Sequence, residues 1–165
     1  MSSPHPGRFS PAEDHQVLSR MVILGCTARK ARTPGRLPAL ELYEGGCVPQ
    51  LRARLGGDPR LRARVRFLSA EHGLVTADTP LHPYDRPLDP DRAGQLRPAV
   101  IAALHREMTT DGVPHEVLVV AEPLYLVLLA DLLALPARPR VHWVPDHTHG
   151  WPQACAVLDQ WGWGW

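Results

Sequence analysis

Lysine is almost missing from this chain. Of the 18 basic residues among 165, only Lys30 is a lysine, and the rest are arginines. With 18 prolines and abundant alanine and leucine, this reads as the usage of a GC-rich genome. Such a bias depletes lysine everywhere, so the one survivor is a residue to place. Cysteine is scarce too. Cys26, Cys47 and Cys155 are too few and too scattered for a disulfide framework or a CxxC metal site. Reduced thiols, no metal and no cofactor are the expectation. Net charge is nearly absent, at +1, which removes any global electrostatic argument for nucleic acid or a membrane surface. No apolar run reaches the ~18 residues needed to cross a bilayer. The opening stretch, MSSPHPGRFSPAEDHQ, lacks the apolar region of a signal peptide, so a cytoplasmic location is expected.

What is present is an ordinary globular composition, 44% hydrophobic and 21% charged. The length suits one domain, and a domain near this size hides roughly 70% of its unfolded surface. Residues 1–18 are rich in Ser, Pro and His without an apolar period and read as a flexible arm or a short surface helix. Residues 19–165 then form a single α/β domain.

Four apolar runs read as buried strands: Met21–Cys26, Val65–Ser69, Glu116–Ala121 and Val141–Val144. The third is nearly continuously apolar, as a strand covered on both faces should be. Helical patterns alternate with them over Gly46–Leu55, Pro90–Met108, Pro123–Leu135 and Trp151–Trp161. Asp89 and Pro90 suit the cap and first position of the second helix, and Pro98 predicts a kink or restart. The alternation predicts a mostly parallel sheet of about four to five strands with helices on both faces. Ligands of such sheets bind beyond the carboxyl ends of the strands.

Each predicted strand is followed by functional residue types. After the first come Cys26, Thr27, Arg29 and Lys30, on a connection long enough to be functional. Arg29 and Lys30 are expected to contact an anion; the alternative is a solvated basic loop. After the second come Ser69, Glu71 and His72, acid–base types at a strand end, with Gly73 permitting a left-handed turn. A stiff segment then carries Tyr84 and Asp85 between prolines. Glu122 closes the third strand, either as a functional carboxylate or as an acid at a helix N-terminus. Tyr125 follows it. After the fourth come Asp146, His147, His149 and Gly150, whose spacing argues against a metal.

These motifs resemble a small bacterial domain family loosely related to the YaaA-like peroxide-stress proteins. The resemblance rests on Gly25-Cys26-Thr27-Ala28-Arg29-Lys30, Leu42-Tyr43, Ser69-Ala70-Glu71-His72-Gly73-Leu74, Pro83-Tyr84-Asp85 and Gly150-Trp151-Pro152-Gln153, across residues 21–161. Glu71 departs from it, since lysine is common there. The resemblance implies an α/β fold with the site at those motifs, an association with enzymes of modified nucleobases, and DNA binding by some relatives.

The expected function is an enzyme acting on a nucleotide or nucleoside, cleaving or exchanging an N-glycosidic bond. Glu71, His72 and Glu122 are the candidate catalytic residues. Cys26, Thr27, Arg29, Lys30, Tyr43, Ser69, Tyr84, Asp85, Tyr125, His147 and Gly150 are the candidate substrate contacts, with Tyr43 or Tyr84 stacking on the base. One alternative is a nucleic-acid-binding stress or repair accessory using the Arg52–Arg66 segment as a basic patch. Another is a non-catalytic partner module using Leu124–Leu135 as an interface, and a homodimer through that segment fits the enzyme reading as well.

Overall fold

A computed structural model describes residues 11–164 of the chain. A five-stranded sheet lies at its centre. Four strands fall where the apolar runs predict them: β1 (Arg20–Gly25), β3 (Val65–Ser69), β6 (Glu116–Val120) and β7 (Arg140–Val144). Two short strands, β2 (Leu37–Pro38) and β5 (Pro80–Leu81), pair with each other as a separate antiparallel ribbon. The fifth strand of the main sheet, β4 (Gly73–Thr76), pairs antiparallel to β3. The order is β4-β3-β1-β6-β7, with every contact but β3–β4 parallel.

Both faces of the sheet are covered, which explains the continuous apolar runs. Side chains alternate across a strand, and here both directions lead into a core. From β1, Val22 and Leu24 join Val65, Phe67, Leu118 and Val120 on one face. Met21 and Ile23 join Leu68, Val117 and Val119 on the other. The first face is closed by α2 (Ala39–Leu42), α3 (Val48–Leu55) and α7 (Trp151–Trp161). The second is closed by α5 (Pro90–Asp111) and a 3-10 helix over Pro123–Leu129 that runs into α6 (Ala130–Leu133).

Local chemistry sets the ends of these helices. The Asp89 carboxylate accepts from the Arg92 N–H at 2.7 Å and caps α5, with Pro90 in its first turn. Pro98 does not break this helix, which runs unbroken for 22 residues. The expected helix over Pro123–Leu135 instead divides into 3-10 and α segments, and its apolar face is spent within the molecule: Leu128, Leu129 and Leu132 are buried with α5. Beyond α7, Gly162 takes the left-handed conformation and turns the chain back, burying Trp161 and Trp163.

Two short helices escape the sequence patterns: α2, and α4 (Pro59–Arg62) capped by Asp58. Of the expected N-terminal arm, residues 11–18 form helix α1 (Pro11–Leu18), and residues 1–10 lie outside the described residues. No described helix is long and apolar enough to cross a membrane.

Candidate active site

The chain leaves β1 toward β3 on one side and returns as β6 on the other. The gap beyond the carboxyl ends of β1 and β6 is therefore the point where strand order reverses, the usual ligand position in such sheets. A cleft of about 290 Å³ lies there. Cys26, Thr27 and Lys30 after β1, Glu122 and Tyr125 after β6, His147 after β7, and Asp85 and Arg86 from the stiff segment all line it.

Glu122 and His147 pair a carboxylate with an imidazole in it. Their Oε1 and Nε2 atoms are 3.3 Å apart. The Glu122 side chain is 62% exposed and that of His147 is 30% exposed. A carboxylate only accepts, so Nε2 carries the proton. His147 is held from behind. Cys47 donates its thiol to the His147 carbonyl, and the ring packs on Gly46, whose φ of +59° and missing Cβ both matter here. The other ring nitrogen, Nδ1, is buried without a partner. The Gly45-Gly46 pair, unremarked in the sequence, is thus what seats Thr27 and His147. Its signal was two adjacent glycines before a helix.

Lys30 also lines the cleft. Its Nζ donates to the carbonyls of Thr27 at 2.9 Å and Ala28 at 3.5 Å, and sits 4.3 Å from the centre of the Tyr84 ring. No carboxylate lies within salt-bridge distance of it among the described residues. Burial pushes its ammonium pKa below the ordinary lysine value, while Cys26 and Asp85 pull it partly back. Lys30 is thus half-buried against the cleft rather than part of a solvated basic loop. Arg29, by contrast, is exposed and makes no side-chain ion pair among the described residues.

Tyr125 is buried, and its hydroxyl meets the Cys26 sulfur at 3.0 Å. Burial first, and the neighbouring Cys26 second, raise its phenol pKa. Thr27 touches the cleft, but its hydroxyl is spent on the Arg29 carbonyl and the Gly45 N–H, so it braces the loop.

The remaining expected contacts are arranged differently. Tyr43 is 0% exposed and stacks on Phe67 at 4.8 Å, so it has no face for a base. Ser69 is also fully buried. The two act through Tyr84: Tyr43 Oη and Ser69 Oγ lie 2.5 and 2.7 Å from its hydroxyl. Burial pushes the Tyr43 phenol up to about 12, and raises that of Tyr84 as well. Ser69 Oγ also accepts the N–H groups of Glu71 and His72, shaping the turn between β3 and β4.

That turn sits at the carboxyl edge of the sheet, with Gly73 at φ +77°. Neither Glu71 nor His72 lines the cleft, however. Glu71 pairs with Arg86 at 3.2 Å, and His72 stands edge-on to Tyr84 at 5.4 Å. The strand after the turn is antiparallel β4, which carries the chain back along the sheet instead of into a helix over the site. Gly150 does not line the cleft either. It caps α7, where a Cβ would collide with the Asp146 carbonyl and Val144.

The Arg52–Arg66 patch is neutralised from within. Arg52 pairs with Glu44, Arg54 with Asp159, Arg60 with Asp58, Arg62 with Glu41 and Asp78, Arg64 with Asp111, and Arg66 with Glu107. These acids offset the positive charge on which a phosphate-binding patch would depend. Among the described residues, no cluster of three or more His, Cys, Asp or Glu has the geometry to hold a metal ion. Compared with known proteins, the chain matches no family model, no curated protein and no solved structure.

Proposed function

We propose that the cleft binds a nucleoside or nucleotide and hydrolyses its N-glycosidic bond, with Glu122 as the acid–base carboxylate. The observation that carries this reading is the Glu122–His147 pair, 3.3 Å apart, in the small cleft where strand order reverses. The volume of about 290 Å³ lies at the small end of ligand pockets and favours a sugar with part of its base over a polymer.

The chemistry needs one proton to move. Water attacks the anomeric carbon, the carbon–nitrogen bond breaks, and charge builds on the sugar as an oxocarbenium ion. Glu122 takes the proton from the water and delivers it to the departing base nitrogen. Before it takes that proton, its negative charge stabilises the developing sugar cation. His147, donating from Nε2, holds the carboxylate in place. Arg29 supplies attraction for a phosphate at the mouth of the loop.

A panel of nucleosides and nucleotides, with released base followed by chromatography, tests the reading. Release by the native protein and its loss in Glu122→Gln are the expected result. No release from any member of the panel, or release unchanged in Glu122→Gln, overturns it.

A further inference from the structure

We infer that Lys30 is a nucleophilic amine that captures a small aldehyde in the cleft as an imine. The inference extends the proposed function in one respect: glycosidic cleavage liberates a sugar whose open-chain form is such an aldehyde. The amine chemistry itself stands on separate observations.

The first is chemical type. Every other cation in the chain is an arginine, which holds its charge permanently and has no lone pair to offer. A lysine can lose its proton and attack a carbonyl. The one position where this chain keeps lysine lies on the wall of its candidate active site.

The second is the seat of the side chain. The Arg52–Arg66 cations each meet a carboxylate, but among the described residues Lys30 meets two carbonyls and the rings of Tyr84 and Tyr43, with no carboxylate in salt-bridge distance. A neutral amine has two N–H bonds. The Thr27 and Ala28 carbonyls accept both, leaving the lone pair for an electrophile. Burial of the amine favours the same neutral form.

The third is company. Imine formation needs a group that gives and takes protons, and Glu122 lines the same cleft. The Lys30 nitrogen bonds to the aldehyde carbon, giving a carbinolamine. Its hydroxyl leaves as water when the carbon–nitrogen double bond forms. The two protons of that water come from the amine, shuttled by Glu122. Hydrolysis reverses the sequence and returns the free amine.

With one lysine among these 165 residues, the test is unusually clean, because the ε-amine competes only with the α-amine of the chain used. The 165-residue chain is incubated at pH 7.5 with ribose, ribose 5-phosphate or glycolaldehyde, and any imine is reduced with cyanoborohydride. Intact mass and peptide mapping then locate the adduct, which equals the aldehyde less one oxygen atom. The expected result is an adduct on Lys30 formed at least tenfold faster than on the α-amine. Lys30→Arg, which keeps charge and removes the nucleophile, should abolish it, with circular dichroism reporting whether that variant folds. Labelling of the α-amine alone, or Lys30 labelling no faster than the α-amine, overturns the inference from the native protein without any variant. A Lys30 adduct with free aldehydes, but no base release from nucleosides, supports the imine and rejects the glycosidic reading. Base release that persists without a Lys30 adduct rejects the imine and keeps that reading.

Discussion

The two arginine- and lysine-bearing regions of this molecule behave in opposite ways. Between α3 and β3, every arginine from Arg52 to Arg66 is matched to an acid, and Arg54, Arg64 and Arg66 are buried. In the loop after β1, Arg29 is exposed and Lys30 faces a cleft, and neither has a carboxylate partner among the described residues. Charges of the same sign hold the first region together and remain available in the second. Local charge density does not separate the two cases; the positions of the acids across the fold do.

The sharpest break of this contrast comes from Arg66, whose guanidinium donates to Glu107 at 2.7 Å and to the Ala63 and Val65 carbonyls. Arg66→Ala strands Glu107 against the helix and should cost about 3 kcal/mol, the low end for a broken buried pair because Glu107 keeps some exposure. The melting temperature should fall by roughly 10 °C. Turnover per folded molecule should not change. A melting temperature unaltered by this substitution would make the paired region dispensable and erase the distinction.

Next in size is a comparison of carboxylates. Glu122→Gln should lower turnover on a responsive substrate about a hundredfold or more with little change in stability, since the side chain is largely exposed. Glu71→Gln, outside the cleft, should lower it less than about threefold. Steady-state kinetics of both variants decide between them, and the reverse order would move the site to the β3–β4 turn.

Alkaline pH probes the phenols around the cleft. An unfolded chain releases tyrosine protons near pH 10, whereas the folded chain holds the Tyr43 proton to about 12. Above pH 10 the unfolded state therefore binds fewer protons, and stability is lost as pH rises toward 12. Tyr43 accounts for about 2–3 kcal/mol of that loss, and Tyr84 and Tyr125 act in the same direction. Lys30 opposes them, because the unfolded state keeps its proton up to the ordinary value while the folded state releases it earlier, so its contribution rises with pH. Urea midpoints measured from pH 8 to 11.5 should fall overall, and less steeply in Tyr43→Phe.

The smallest effect belongs to the loop. Arg29→Ala should raise KM for a nucleotide several-fold, the loss of one exposed charge-assisted contact, and leave KM for the matching nucleoside unchanged. An equal change for both would remove the phosphate from the Arg29 contact.

Much of the sheet was legible because burial on two faces leaves runs such as Val117–Val120 with no polar residue to confuse the reading. The ends of α7 and the cap of α5 were legible for a local reason: Pro152, Asp89 and Pro90 act within one turn of where they stand. Strand β4 was not. Gly73–Thr76 is short and half-polar, and its place at the sheet edge depends on pairing with β3. Helices α2 and α4, each of four residues, are too short to show a period. At the site, Lys30, Glu122 and His147 carried recognisable chemistry at strand ends. Tyr43 and Ser69 carried the same polar types, and only packing revealed that Phe67 and Tyr84 had claimed them.

The sequence by itself determined the alternation of strands and helices, and with it the edge at which sheets of this kind bind their ligands. Apolar periodicity and capping are local properties, written residue by residue along the chain. Tertiary structure alone decided which charges are spent and which are kept. A carboxylate and its partner lie up to 105 residues apart, as Arg54 and Asp159 do, and no local pattern records that distance. The same long-range closure brought Glu122 to His147 and left Glu71 to Arg86, because the reversal of strand order between β1 and β6 opens the cleft between those strands and not beside β3.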